Sequence, residues 1–290
     1  MARLIGVDPA LDTWRMIDVP PALDLREPDA AAALVKNETP DAVIHLAAQS
    51  WVPDAFRDPG LTLQVNVLGT LNLLQALRRT GFSGRTVFVS TGDVYGCVPD
   101  SELPIREDRL PAPRNPYAVS KLAAEALCYQ WSVTEGMDMI IARAFNHIGP
   151  RQSERFVVSD FARQVVEIKL GRRQPTVSVG DIDVTRDFTD VRDVVRAYFA
   201  LLRDGENGEV YNICSGREQS IRALLLRLAG IAGVEIAIQE DPKRLRKSEQ
   251  RRVVGDPGKM ERATGWRSTT ELDESLSLML HQWEQEIANG

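Results

Sequence analysis

Thr86-Val87-Phe88-Val89, followed at once by Ser90-Thr91-Gly92-Asp93, reads as a buried strand that ends in small polar residues. Upstream, Ala42-Val43-Ile44-His45-Leu46 is a second such run, opened by the turn signal Pro40-Asp41. Between the two, Leu63, Val67, Leu71, Leu74 and Leu77 recur at helical spacing, which predicts a helix over Leu61 to Arg79. Downstream, Pro116 suits a first helical turn and opens a helix to about Thr134; Met139-Ile140-Ile141-Ala142 follows as a third strand. Strand, helix, strand, helix, strand at this spacing predicts an α/β fold with a doubly wound, Rossmann-type parallel sheet. In such a sheet ligands lie at the carboxyl ends of the strands. Those ends are Ala47-Ala48-Gln49-Ser50, Ser90-Thr91-Gly92-Asp93 and Phe145-Asn146-His147.

From about residue 150 the texture changes. Gly171 to Pro175 and Gly180 to Asp183 read as turns, and Asp241 to Arg252 is a dense charged run. These segments predict a smaller C-terminal lobe. The expected division is residues 1–150 for the sheet domain and 151–290 mainly for the lobe, with Asp187 to Leu202 and Arg246 to Gly255 returning to the sheet domain.

The formal charge of −6 over 290 residues speaks against nucleic acid as the main partner, since a phosphate backbone needs a basic face. No apolar stretch is long enough to span a bilayer, and no secretion signal opens the chain. Cys97, Cys128 and Cys214 stand apart, as small thiols suited to a reducing cytoplasm rather than as a disulfide framework. His45, His147 and His281 have no metal-ligand spacing, so no metal is expected.

Tyr117-Ala118-Val119-Ser120-Lys121 sets a phenol and an ammonium on one face of a helix, one turn apart. A nearby ammonium favours the phenolate, which would bring the tyrosine's proton exchange nearer neutral pH. Thr91, at the end of its strand, either caps a turn or hydrogen-bonds the substrate oxygen that Tyr117 would protonate. Asp93 is either an Asx-turn former or a third polar group of the same site.

Val89-Ser90-Thr91-Gly92-Asp93-Val94-Tyr95-Gly96 with Asn115-Pro116-Tyr117-Ala118-Val119-Ser120-Lys121 resembles the active-site pair of extended short-chain dehydrogenases/reductases. His45-Leu46-Ala47-Ala48, Asn66 to Leu74, Arg143 to Pro150, Arg186 to Asp193 and Tyr211 to Gly216 are similar to further motifs of that family, in its order. The resemblance implies a triad of Thr91, Tyr117 and Lys121. Tyr117 would be the general acid or base, Thr91 would orient the substrate oxygen, and Lys121 would bind the nicotinamide ribose and lower the pKa of Tyr117. Leu46, Ala47, Ala48 and Gln49 would line the cofactor, Asp24-Leu25 would meet its adenine end, and Ile148 would lie beside the nicotinamide. Residues 1–150 would then bind the dinucleotide and the lobe a sugar nucleotide. The helices Leu61 to Arg79 and Pro116 to Thr134 resemble those that pair into a four-helix homodimer interface.

Within the family, Phe145-Asn146-His147, Gly180-Asp181-Ile182-Asp183 and Arg246-Lys247-Ser248-Glu249 look most like the branch acting on GDP-mannose derivatives. That likeness puts Asn146 and Arg186 on the diphosphate and Arg246 and Glu249 on the nucleotide; arginine forks suit phosphate and a carboxylate suits ribose hydroxyls. Dehydratases of the branch carry a glutamate two positions after the catalytic threonine, where this chain has Asp93. The resemblance therefore leans to a reductase that converts the C4 ketone of GDP-4-keto-6-deoxy-D-mannose to GDP-D-rhamnose. The alternatives are a GDP-mannose 4,6-dehydratase or related epimerase, and an inactive, truncated sugar-nucleotide-binding protein.

The family's glycine-rich phosphate loop has no counterpart here, since Gly6 is followed next by Gly60. The first strand and its loop are accordingly expected to be missing, either because the start is assigned too far downstream or because the chain is a shortened relative. Ala2 to Asp8 then resembles the second strand, with Asp8 placed to accept from a ribose 2′-hydroxyl. A rival alignment puts that strand at Trp14 to Val19. The cofactor stays open between NAD and NADP.

Overall fold

The structure, a computed structural model, describes residues 17, 19, 23–244 and 250–289. In chain order it runs through α1 (Pro28–Glu38), β1 (Ala42–His45), α2 (Val52–Arg57), α3 (Pro59–Leu63), a π-helical turn (Gln64–Leu68), α4 (Gly69–Arg79), β2 (Arg85–Thr91) and a 3₁₀ turn (Gly92–Tyr95). Then come α5 (Pro116–Thr134), β3 (Asp138–Ala144), β4 (Asn146–Ile148), α6 (Val157–Lys169), β5 (Thr176–Val179) and β6 (Thr185–Asp190). The chain continues with α7 (Val191–Asp204), β7 (Val210–Ile213), β8 (Glu218–Ser220), α8 (Ile221–Ala232), β9 (Ala237–Glu240), α9 (Gly258–Thr264) and α10 (Leu272–Asn289).

Among the described residues the main sheet has the order β1-β2-β3-β7, with every neighbouring pair parallel. Successive residues of β2 and β3 alternate faces. Phe88, Met139 and Ile141 pack with Val35 of α1, Leu74 and Leu77 of α4 and Ala124 of α5. Val87, Ile140 and Ala142 pack on the opposite face with Val194 and Leu201 of α7 and Met260 of α9. Burial on both faces explains why the strands read as unbroken apolar runs. Val210–Ile213 and Gly258–Thr264, which the sequence reading placed in the lobe, also belong to this layer. β7 supplies backbone partners to β3 (Ile141 opposite Val210), and only that pairing assigns it.

The predicted helix over Leu61 to Arg79 is a helical run from Pro59 to Arg79, with the π turn inside it. That turn points the buried Asn66 inward, and π turns recur at functional sites. The helix predicted from Pro116 to Thr134 has those limits; the Asn115 side chain caps it by accepting from Ala118 N at 2.7 Å.

The second layer group holds β4-β6-β8 and β5-β9. Its core joins Ile148, Val158, Phe161, Val177, Leu224, Leu228 and Met279, so α6, α8 and α10 close over one apolar centre. β4 pairs with β6 in parallel, with Asn146 opposite Phe188. The two halves thus meet at the carboxyl ends of β1, β2 and β3. The expected absence of a first strand and glycine loop, and the rival second strands, lie outside the described residues.

Candidate active site

Thr91 is the last residue of β2, and the chain turns immediately into Gly92–Tyr95. Its hydroxyl accepts from Asp93 N at 3.2 Å, and it acts on the phenol of Tyr117, holding the phenol's pKa down against burial. Thr91 therefore caps the turn, as one of its two readings had it, and the same hydroxyl lies on the side of Tyr117. Tyr117 occupies the first turn of α5, which Asn115 and Pro116 start at this point.

Burial pushes the Tyr117 phenol above its ordinary range, the negative charge of Asp93 adds to that, and only Thr91 opposes them. Lys121 is not among these influences. Its ammonium is 3% exposed and lies 4.4 Å from the centroid of the Phe88 ring. The influences on Tyr117 are thus burial, Asp93 and Thr91, and they hold the phenol above its ordinary range. Tyr198, on α7, senses the same phenol.

Beneath the pair runs a polar chain that holds it in place. Ser120 Oγ donates to the Tyr117 carbonyl at 2.7 Å and accepts from Asn66 Nδ2 at 2.8 Å. Asn66 also accepts from Gln49 N at 2.7 Å and donates to Gln49 O at 3.0 Å. Thr70 Oγ1 donates to Asn66 O at 2.7 Å, which leaves its oxygen to accept from His45 Nε2, 2.9 Å away. His45 is neutral, its pKa drawn down to about 3 by burial and then by the charge of Lys121. The π turn is what aims Asn66 at both Gln49 and Ser120; the motif at Asn66 to Leu74 was legible in the sequence, but these partners were not.

At the end of β1, Leu46 is 56% exposed and Ala47 is also exposed, with Ala48 and Gln49 half-buried behind them. Gln49 Oε1 is buried without a partner. An apolar ledge, an orphan acceptor and a buried ammonium fit the nicotinamide and ribose of a dinucleotide. Asp24 is salt-bridged to Arg26 at 2.5 Å, and the Leu25 carbonyl accepts from Asn72 Nδ2 at 2.8 Å. Ile148 does not join this face. Its side chain is 1% exposed inside the C-terminal core, so packing takes the surface that a cofactor would need. Asp8 lies outside the described residues.

On the opposite wall, Arg186 of β6 and exposed Asn146 of β4 stand on paired strands. Burial lowers the pKa of Arg186, while the charges of Asp93 and Asp181 raise it. Asp93 therefore acts on both Tyr117 and Arg186, which favours the site-group reading over a turn alone. Arg246 and Glu249 lie outside the described residues; the chain beside them is fixed by Gln250, whose Oε1 accepts from Val98 N at 2.7 Å. Asp187, missed from sequence, knots this wall together. It accepts from Ser215 N at 2.8 Å, Ser215 Oγ at 2.6 Å, Gly216 N at 3.0 Å and Gly255 N at 3.2 Å.

A sequence-family model described as GDP-mannose 4,6 dehydratase matches residues 21–279. The GDP-6-deoxy-D-mannose reductase of Pseudomonas aeruginosa is 54% identical over 274 residues, 94% of this chain and 90% of its own. A solved structure of RMD from Pseudomonas aeruginosa complexed with NADPH matches with a TM-score of 0.90 at 54% identity, covering 94% of this chain and 91% of that one. A GDP-mannose 4,6-dehydratase of Yersinia enterocolitica is 30% identical over 288 residues, 89% of this chain and 76% of its own.

Proposed function

The chain belongs to the GDP-mannose 4,6-dehydratase family of extended short-chain dehydrogenases, and on that premise we propose that it is a sugar-nucleotide reductase. Its reaction is reduction of the C4 ketone of GDP-4-keto-6-deoxy-D-mannose to GDP-D-rhamnose. When bound, a reduced nicotinamide cofactor, NADPH or NADH, supplies the hydride. The observation that carries the reading is the placement of Thr91 at the end of β2 beside Tyr117 and the buried Lys121 in the first turns of α5, where burial holds the phenol above its ordinary range. A ketone gaining a hydride becomes an alkoxide and needs a proton, and a phenol that keeps its proton until the oxygen turns basic is a general acid. Thr91 orients that oxygen. Lys121 and Gln49 hold the nicotinamide ribose over the ledge of Leu46 and Ala47, and Arg186 and Asn146 meet the diphosphate. A dehydratase must in addition remove a proton from C5 and expel the C6 hydroxyl. Asp93 is one methylene shorter than the glutamate that serves this in the dehydratases.

The test is to mix the protein with GDP-4-keto-6-deoxymannose and NADPH or NADH, and to follow nicotinamide absorbance. Cofactor oxidation that depends on the sugar nucleotide is expected. Turnover of GDP-mannose with no net cofactor consumption identifies a dehydratase instead, and binding without turnover a binding protein.

The protein also works as a homodimer. Leu61 and Leu68 on the Pro59–Arg79 run, with Val119 and Val133 on α5, leave exposed apolar side chains on two neighbouring helices. Light scattering should return the mass of two chains, and the mass of one would overturn this. Three free thiols suit a reducing cytoplasm.

A further inference from the structure

Directly behind the candidate site lies a buried ion pair that the reaction steps above do not use. Arg143 of β3 donates from Nη2 to Glu125 Oε2 of α5 at 2.7 Å, and from Nε to both carboxylate oxygens at 3.1 and 3.2 Å. Their side chains are 6% and 4% exposed. Ser90 Oγ donates to Glu125 Oε1 from the residue just before Thr91. The Arg143 guanidinium lies 4.8 Å from the centroid of the Tyr95 ring, and Tyr95 Oη donates to Asn212 Oδ1 at 2.7 Å. A pair buried this deeply adds little net stability, because desolvation offsets the attraction. Its position suggests another use.

Glu125 follows Lys121 by four residues, one turn along the same helix face. Burial draws Lys121 down to about 8, with Cys128 and Glu125 opposing that. The Cys128 thiol is itself raised to about 12 by burial, so it is neutral at working pH, and Glu125 is the standing negative charge. Of the other groups around Lys121, His45 from β1 is neutral and Tyr117 on α5 is protonated. Arg143 from β3 pairs with Glu125 and is not itself among the charges that act on Lys121, and Tyr95 of the 3₁₀ turn is protonated beneath it. Asp93 of that turn acts on Tyr117 and Arg186. The π turn and β2 bring Asn66, Phe88 and Ser90, which do not titrate.

We propose that Glu125 is a positioning residue: its carboxylate, held by Arg143 and Ser90, keeps Lys121 cationic inside the protein and locks α5 to the end of β2 so that Tyr117 meets Thr91. This rests on the roles given above to Tyr117 and Lys121. The test is the pH profile of kcat/KM for NADPH in the parent, in Glu125→Gln, in Glu125→Gln with Arg143→Met, and in Tyr117→Phe.

Parent kcat/KM should fall as pH rises through about 8, where Lys121 loses its charge. In both Glu125 variants that limb should move about one unit lower, the size of a unit charge felt across one helical turn. The rise in KM for NADPH should precede any loss of kcat. The double variant removes both charges and leaves no lone buried guanidinium, so it folds even where the single variant does not. A double variant whose limb coincides with the parent's overturns the proposal and leaves the pair a structural tie. If Tyr117→Phe keeps its turnover, the site assignment itself is what fails.

Discussion

Tyr117→Phe is expected to lower kcat by about 10²- to 10⁴-fold while leaving the melting temperature and NADPH affinity close to those of the parent. General acid catalysis contributes about that factor, equivalent to roughly 3–5 kcal/mol of transition-state stabilisation. The change removes one oxygen, on the side of Thr91, and keeps the ring. The helix start is untouched, because Asn115 caps it and the Tyr117 carbonyl still accepts from Ser120 Oγ. Steady-state kinetics with GDP-4-keto-6-deoxymannose, beside a thermal melt, separates chemistry from folding. A variant within about tenfold of the parent, below the usual range for a general acid, would mean that the proton comes from elsewhere, with Asp93 the next residue to test.

Gly96→Ala should be the most damaging single-methyl change near the site. Gly96 has φ +65° and ψ −141°, a conformation that costs a side-chain-bearing residue about 1–3 kcal/mol. A Cβ there would also stand 1.9 Å from the Ala112 carbonyl oxygen and 2.9 Å from its carbon, both backbone atoms that cannot rotate away. The neighbouring segments are already tied, since Ala112 N donates to Val94 O at 2.9 Å. The expected loss is about 3 kcal/mol or more, which in a chain of this size lowers Tm by about 6–12 °C. Gly233→Ala is the matched control, because its φ is +71° and nothing lies within 4 Å of the new methyl. That variant bears the backbone strain alone, about 1 kcal/mol. Equal melting temperatures for the two would show that the contact with Ala112 relaxes freely. A loss of kcat beyond the loss of folded protein is also expected, because the turn between Thr91 and Gly96 carries Asp93.

The resemblance to extended short-chain dehydrogenases was legible in the motifs from His45 to Gly216, and the family match bears it out. The substrate branch was legible as well, and the reductase relative supports the side taken on Asp93. Two expectations for the site sit differently once the chain has folded. The resemblance put Ile148 beside the nicotinamide, yet its side chain turns into the C-terminal core. Lys121 was expected to act on Tyr117 because four residues separate them, yet burial and Asp93 govern that phenol. Spacing along a helix fixes which face a side chain shares, and says nothing of how much protein closes over it.

By itself the sequence determined β1 to β3, the helix from Pro116 to Thr134 and the meeting of strand ends at one edge, because periodicity and turn chemistry are local and survive in a linear string. Only the tertiary structure decided that β7 and α9 complete the first layer, that a π turn aims Asn66 at Ser120 and Gln49, and that Asp187 gathers Ser215, Gly216 and Gly255. It alone decided the electrostatics of the site too: the Tyr117 phenol raised by burial, His45 neutral, and the Lys121 ammonium drawn down by burial. Each of these is a sum over groups distant in the chain, and desolvation exists only once the chain has closed around them.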